Sequence, residues 1–246
     1  MPTLVFNGLP LPTIQAVVWD KDGTLADTLD YWRQVGEQRL QCLEAKAPGV
    51  AHRLRRAFGF KNGVLEPGGL LATGSRYENE IAAAAYVAEL GWDWQSALHL
   101  VRDIFQQVER EGPSVQTIPL RHGAREVLQQ LAQAGYRQAI LSADISPNVQ
   151  AFVAHNQLHD LLDYYTGIDL PPSKPDPQAL LHTCQILGVD PSQTVMVGDS
   201  PVDMEMAKRA GCAAAIAVSW GFHQGHKLAS LADSIINDWS QIQVLG

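Results

Sequence analysis

Residues 13–19 begin with a weak apolar alternation and tighten into the continuous run Ala16-Val17-Val18-Trp19, the pattern of a central strand buried on both faces. The period then becomes helical. Leu29, Trp32, Val35, Leu40 and Leu43 fall on one stripe, and Trp94, Ala97, Leu98, Val101, Ile104, Phe105 and Val108 recur at the i, i+3, i+4, i+7 spacing of another. Further helices are predicted near residues 50–58 and 75–90, the second carrying the patch Ile81-Ala82-Ala83-Ala84-Ala85, with a glycine-rich stretch over 59–74 between them. Residues 29–112 are therefore predicted to be helix and loop throughout, closing at the linker Glu111-Gly112-Pro113.

From residue 121 the pattern alternates between helix and strand, as a parallel sheet requires. Helices are predicted over 125–134, 147–156, 177–187 and 201–210, three of them closed by Gly135, Gly188 and Gly211. Strands are predicted over 136–141, 163–166, 194–197 and 213–218. The fold class is thus α/β: a doubly wound, Rossmann-like parallel sheet core formed by residues 1–28 and 113–246, with an inserted α-helical block over 29–112. In such sheets ligands bind beyond the carboxyl ends of the strands, so those ends are where chemistry is expected.

Composition narrows the function classes. The 246 residues, 46% hydrophobic, can bury a full core, and 26 acidic against 18 basic residues give a formal net charge of −8. That balance opposes nonspecific attraction to nucleic acid or an anionic bilayer. Cys42, Cys184 and Cys212 are scattered and odd in number, without CxxC spacing, and are expected to be reduced and structural. The opening MPTLVFNGLPLP lacks a basic leader region, and no stretch approaches ~20 apolar residues, so no membrane span is expected and the expected compartment is the cytosol.

Four strand ends and loops carry candidate chemistry. The first strand runs into Asp20 and Asp22, although two like charges about 4 Å apart repel by ~4 kcal/mol at an effective dielectric near 20. In an extended segment the two carboxylates share a side while Lys21 points away, and Gly23 permits a sharp turn; an Asp-capped turn would also account for this segment. The next strand ends at Ser142 and Ala143, a hydroxyl and an amide able to hold a phosphate oxygen, though serine is ordinary at a strand end. Lys174 lies in Pro171-Pro172-Ser173-Lys174-Pro175-Asp176-Pro177, a loop stiffened by its prolines, which commits its ammonium to one direction. In Gly198-Asp199-Ser200-Pro201-Val202-Asp203, a capping box of Ser200 and Asp203 explains Asp203, whereas Asp199 at the mouth of a buried strand needs a partner or a cation. If these ends converge, up to four carboxylates meet Lys174 alone. That excess calls for a divalent ion, and an all-oxygen donor set with open positions suits Mg²⁺.

The ordered set Asp20-Lys21-Asp22-Gly23-Thr24, Ser142, Lys174-Pro175 and Gly198-Asp199-Ser200 with Asp203 resembles the four motifs of the haloacid dehalogenase-like (HAD) hydrolases. More narrowly, it is similar to the phosphatases with a helical cap inserted after the first motif, a group that includes phosphoglycolate phosphatases and small sugar phosphatases. The resemblance covers nearly the whole chain and makes residues 29–112 the cap. It implies an Mg²⁺-dependent phosphatase acting on a small-molecule phosphomonoester through an aspartyl-phosphate. Asp20 would be the nucleophile and Asp22 the general acid and then base. Gly23, Ser142, Ala143 and Lys174 would hold the phosphate. Asp20, Asp199 and the backbone carbonyl of Asp22 would bind Mg²⁺, with Asp203 orienting Lys174 or a metal-bound water.

Two positions depart from the family pattern: Trp19 stands where Phe or Leu is usual, and Lys21 where an apolar residue is common. Thr24 favours hydrolysis over a phosphosugar mutase, which remains the alternative, together with a noncatalytic regulatory protein on the same fold. Cap candidates for substrate contact are Arg55, Arg56, Lys61, Asn62 and Arg76, although Arg53-Leu54-Arg55-Arg56 also reads as a solvated helix face; His223-Gln224-Gly225-His226 has a spacing able to hold a metal, but two histidines in a polar loop are more often surface residues. The expected partner is a small phosphate ester, with no nucleic acid and no membrane, on a monomer or homodimer.

Overall fold

A computed structural model describes residues 2–66, 68–74, 76–114, 117–170, 172–222 and 228–246. The chain divides into two compact units, residues 1–27 with 115–246, and Thr28–Ser114.

The chain opens with a hairpin, β1 (Thr3–Phe6) and β2 (Leu9–Leu11), and then enters the apolar strand β3 (Ala16–Trp19). The hairpin turns on Asn7 and Gly8, at φ +46° and +81°, the left-handed pair that matches strand twist in a two-residue loop. Residues 20–27 leave β3, and residues 25–27 pair with 119–121: Ala26 bridges Leu120, Asp27 N–H donates to the Pro119 carbonyl at 3.0 Å, and Arg121 N–H to the Leu25 carbonyl at 2.7 Å.

The helical unit comprises α1 (Leu29–Lys46), α2 (Val50–Ala57), β4 (Phe60–Lys61), β5 (Val64–Leu65), α3 (Leu70–Thr73), α4 (Arg76–Glu89) and α5 (Trp94–Glu111). Its core takes the predicted stripes: Val35, Leu40 and Leu43 of α1 pack with Ala97, Val101, Ile104, Phe105 and Val108 of α5 and with Ala83 and Ala84 of α4. Two expectations are corrected. The stretch 59–74 holds the β4–β5 hairpin and α3, so the block is not helix and loop alone, and Trp94, placed on the buried stripe, is 42% exposed.

The remaining elements alternate as predicted, within one or two residues: α6 (Ala124–Gln133), β6 (Arg137–Leu141), α7 (Ser146–His155), β7 (Tyr164–Thr166), α8 (Gln178–Leu187), β8 (Thr194–Gly198), α9 (Pro201–Ala210) and β9 (Ala214–Val218). Two further strands, β10 (Ser234–Ile236) and β11 (Ile242–Leu245), were not anticipated. β10 extends a six-stranded parallel sheet of order β10-β9-β8-β3-β6-β7, and β11 pairs antiparallel with β1 in a separate sheet of order β11-β1-β2.

From central β3 the chain runs to β6 and β7 on one side and then crosses back to β8, β9 and β10 on the other. This is the switch point at which such sheets open a crevice. Trp19 pairs in register with Ile140 of β6 and Val197 of β8, so the residues after these three strands emerge side by side. On one face Ala16 and Val18 pack against Leu180 and Cys184 of α8 and Met204 and Ala207 of α9. Trp19 is wholly buried and donates its Nε1 hydrogen to Gln138 Oε1 at 3.2 Å, with the ring of Trp239 edge-on at 6.1 Å between centroids. An indole in a slot usually apolar is thus absorbed by a buried amide partner. No helix among the described residues is long and apolar enough to cross a membrane.

Candidate active site

Asp20 follows β3 directly, and its N–H donates to the Val197 carbonyl at 2.8 Å, which prolongs the β3–β8 ladder by one step and fixes the direction of its side chain. Lys174 Nζ donates to Asp20 Oδ1 at 2.6 Å and to Asp203 Oδ1 at 2.8 Å, all three side chains buried. Asp203 Oδ2 accepts from the Ser200 hydroxyl at 2.6 Å and the Ser200 N–H at 3.2 Å, which closes the capping box of α9. Asp203 therefore serves helix and lysine together, and both its oxygens are engaged.

Asp199 is clamped by backbone. The Phe222 N–H donates to its Oδ2 at 2.5 Å, and a Cβ on Gly221 would come 2.2 Å from its Cβ. On the other side Gly23, at φ +78°, lies so close that a Cβ there would stand 2.4 Å from Asp199 Oδ2. Only glycine meets both the turn and the approach. Trp220 Nε1 donates to the Thr24 carbonyl at 3.2 Å, and the Thr24 hydroxyl lies 3.4 Å from Asp20 Oδ2.

One carboxylate oxygen from each of Asp20, Asp199 and Asp203 lies within 4.8 Å of the others. Burial pushes Asp20 up to about 7 against the opposing pull of Lys174, with Asp203 and Asp22 adding to the rise. Burial also raises Asp199 well above the usual carboxylate range, helped by the charges of Asp20 and Asp203. Burial alone would loosen the proton of Lys174, but Asp20 and Asp203 override it and hold the ammonium above the ordinary lysine value. The protein's own cations leave this cluster short of positive charge, the electrostatic condition for a divalent ion. Since Lys174 and Ser200 occupy Asp203, the oxygens open to a metal are Asp20 Oδ2 and Asp199 Oδ1, and an all-oxygen set fits Mg²⁺.

Lys21 departs from its expected outward direction. It is buried, 1% exposed, and its Nζ lies 2.9 Å from Asp22 Oδ1, 2.8 Å from Asp22 Oδ2 and 3.0 Å from Asp144 Oδ2. The Asp22 carboxylate is accordingly turned to Lys21 and is not one of the three clustered acids, and the site holds two buried lysines where one was counted. Ser142, buried at the end of β6, accepts the Asp144 N–H at 3.1 Å; Ala143 beside it is exposed, and neither hydrogen-bonds to the acid cluster.

The sequence reading missed Asp144, Trp220, Gly221 and Phe222 as parts of the site. Trp220 to Phe222 follow β9, whose end carries no ionisable side chain to signal chemistry in the sequence. Of the candidates in the helical unit, Arg55 pairs with Glu37 and lies over Phe60, Lys61 faces Glu66 at 3.7 Å, Asn62 forms the β4–β5 turn at φ +51°, and Arg76 pairs with Glu80 and Glu109; Arg56 is exposed. His223 to His226 lie outside the described residues.

Comparison with known proteins agrees with this architecture. A phosphoglycolate phosphatase of Psychrobacter arcticus is 27% identical over 218 residues, 88% of each chain. A crystal structure of a predicted phosphoglycolate phosphatase from Haemophilus somnus 129pt superposes with a TM-score of 0.65 at 19% identity, covering 94% of this chain and 96% of that one. A HAD family hydrolase of Deinococcus radiodurans R1, solved with bound phosphate and sodium, also superposes with a TM-score of 0.65 at 19% identity, over 93% of both chains. At that identity the structural likenesses speak to fold. A family model of haloacid dehalogenase-like hydrolases matches residues 14–211, and the chain belongs to that family.

Proposed function

We propose that this phosphatase hydrolyses small-molecule phosphomonoesters, phosphoglycolate or a sugar phosphate, through an aspartyl-phosphate on Asp20. The observation that carries the reading is Lys174 bonded at once to Asp20 and Asp203, with Asp199 beside them. The name of the Psychrobacter arcticus relative favours phosphoglycolate as the first substrate to try. The helical unit Thr28–Ser114 is read as the cap that selects among esters.

In the first step the Asp20 carboxylate attacks phosphorus, the bond to the leaving oxygen breaks, and that oxygen takes its proton from Asp22. In the second, Asp22 takes a proton from water whose oxygen attacks the same phosphorus, releasing inorganic phosphate and restoring Asp20. Lys174 keeps Asp20 aligned and offsets phosphate charge, while the Ser142 hydroxyl and the amides of Gly23 and Ala143 donate to the non-bridging oxygens. Mg²⁺ held by Asp20, Asp199 and the main-chain carbonyl of Asp22 would supply charge neutralisation.

The test is Mg²⁺-dependent phosphate release from phosphoglycolate and p-nitrophenyl phosphate, with EDTA as control and Asp20→Asn as the variant. Abolished turnover in a folded Asp20→Asn protein is expected. Normal activity in that variant, or none in the parent chain against a panel of phosphate esters, overturns the reading.

A further inference from the structure

Lys21 is one of the largest fully buried side chains among the described residues, yet it carries a charge. A buried ammonium is retained only where its partners are well placed, since desolvation is costly. Here they are placed with some care. Asp144 Oδ1 accepts the Ile145 N–H at 2.8 Å and the Asn148 side-chain amide at 2.8 Å, at the start of α7, and leaves Oδ2 for Lys21. The ammonium lies 5.9 Å from the centroid of the Phe152 ring on the same helix. Asp144 and α7 thus make a fixed seat for Lys21.

The Asp22 carboxylate has no other hydrogen-bond partner among the described residues, and it is about a quarter exposed. Lys21 is therefore the hydrogen-bond donor that sets its direction among the described residues. The two acids of this segment are divided between two lysines: Lys174 holds Asp20, and Lys21 holds Asp22.

We propose that Lys21 is a positioning residue, anchored by Asp144, that holds the Asp22 carboxyl where it can pass its proton to the leaving-group oxygen. The inference rests on the phosphatase reading above and adds to it the group that aims the acid. As Asp20 attacks and the phosphorus–oxygen bond breaks, the electron pair passes to the leaving oxygen and the proton passes from Asp22 to it. The charge left on Asp22 then develops beside an ammonium already in place.

The role separates from simple structural support by leaving group. An alkoxide leaves poorly unless protonated, whereas p-nitrophenolate leaves without help, and kcat/KM reports the first transfer alone. Lys21→Met is expected to lower kcat/KM on the best alkyl phosphate substrate, phosphoglycolate first, by about 30- to 100-fold, up to the lower end of what a general acid supplies, since Asp22 itself remains. The loss on p-nitrophenyl phosphate should be at least about tenfold smaller. Asp144→Asn, at a partly exposed side chain that should tolerate the change, should shift the ratio the same way by about 5-fold, and Lys21→Arg should restore most of the alkyl rate. Equal losses on both esters in a folded Asp144→Asn or Lys21→Met protein, or an undiminished alkyl rate, overturns the proposal and leaves the phosphatase reading standing. A parent protein that hydrolyses neither ester overturns both.

Discussion

Lys174 reaches Asp20 across 154 positions of sequence and meets its Oδ1 at 2.6 Å, in a place closed to solvent. The contact joins the loop that follows β7 to the end of the central strand and leaves each charge dependent on the other. Lys174→Met strands Asp20 and Asp203 without their ammonium. Unfolding by urea should show a loss of about 3–5 kcal/mol, the usual cost of removing one partner of a buried pair, and phosphate release should disappear. A variant as stable as the parent would mean that the pair contributes nothing.

Proton and metal should compete at Asp20. Burial raises this carboxyl to about 7, so between the unfolded value near 3.8 and 7 the native protein holds a proton that the unfolded chain has lost. The stabilisation from protonated Asp20 is complete below the unfolded value and fades as pH rises through the folded one. Added Mg²⁺ should therefore raise the melting temperature more near pH ~8 than near pH ~5.5, by calorimetry on EDTA-treated protein. Equal shifts at both values would contradict it.

Gly23→Ala tests the approach of turn and acid. The new methyl would stand 2.4 Å from Asp199 Oδ2 on a residue already at φ +78°. A cost of about 1–3 kcal/mol in denaturant unfolding is expected from the backbone alone, with a larger fall in kcat as Asp199 is displaced. Unchanged turnover would show that Asp199 can move without consequence.

Trp220→Phe keeps the ring against Trp239, 4.5 Å away between centroids, and removes the hydrogen bond to the Thr24 carbonyl. About 1 kcal/mol of stability should go with that bond, and turnover should fall while KM for the ester stays near its original value. The check is steady-state kinetics beside a urea curve.

The doubly wound core was legible because each of its elements obeys a local rule. β3 reads as buried from four apolar residues, and α9 runs from a Ser200 cap with Pro201 behind it to Gly211. The chemistry likewise shows in Asp20 and Asp199, whose charges have no business at the mouths of buried strands unless something answers them, and in Lys174, set among prolines in the loop after β7. Both unpredicted hairpins carry a local signal: Asn7-Gly8 and Asn62-Gly63 each supply the left-handed pair of a two-residue turn. β11 has only the short alternation Ile242-Gln243-Val244, and its pairing is hidden because its partner β1 lies at the far end of the chain. Lys21 was misdirected for a different reason. Alternation along an extended strand fixes side-chain direction only while the strand lasts, and β3 ends at Trp19.

The strand-like pairing of residues 25–27 with 119–121 means that the α/β unit fastens its own severed edges together before and after the excursion into helices. Closing a loop of that length costs only slightly more than closing a short one, and here the clasp belongs to the host rather than to the guest. The helices are therefore removable in principle: a few glycines and serines joining the two clasped segments would span the gap, leaving the α/β unit alone, whose choice of ester could be compared with that of the intact chain.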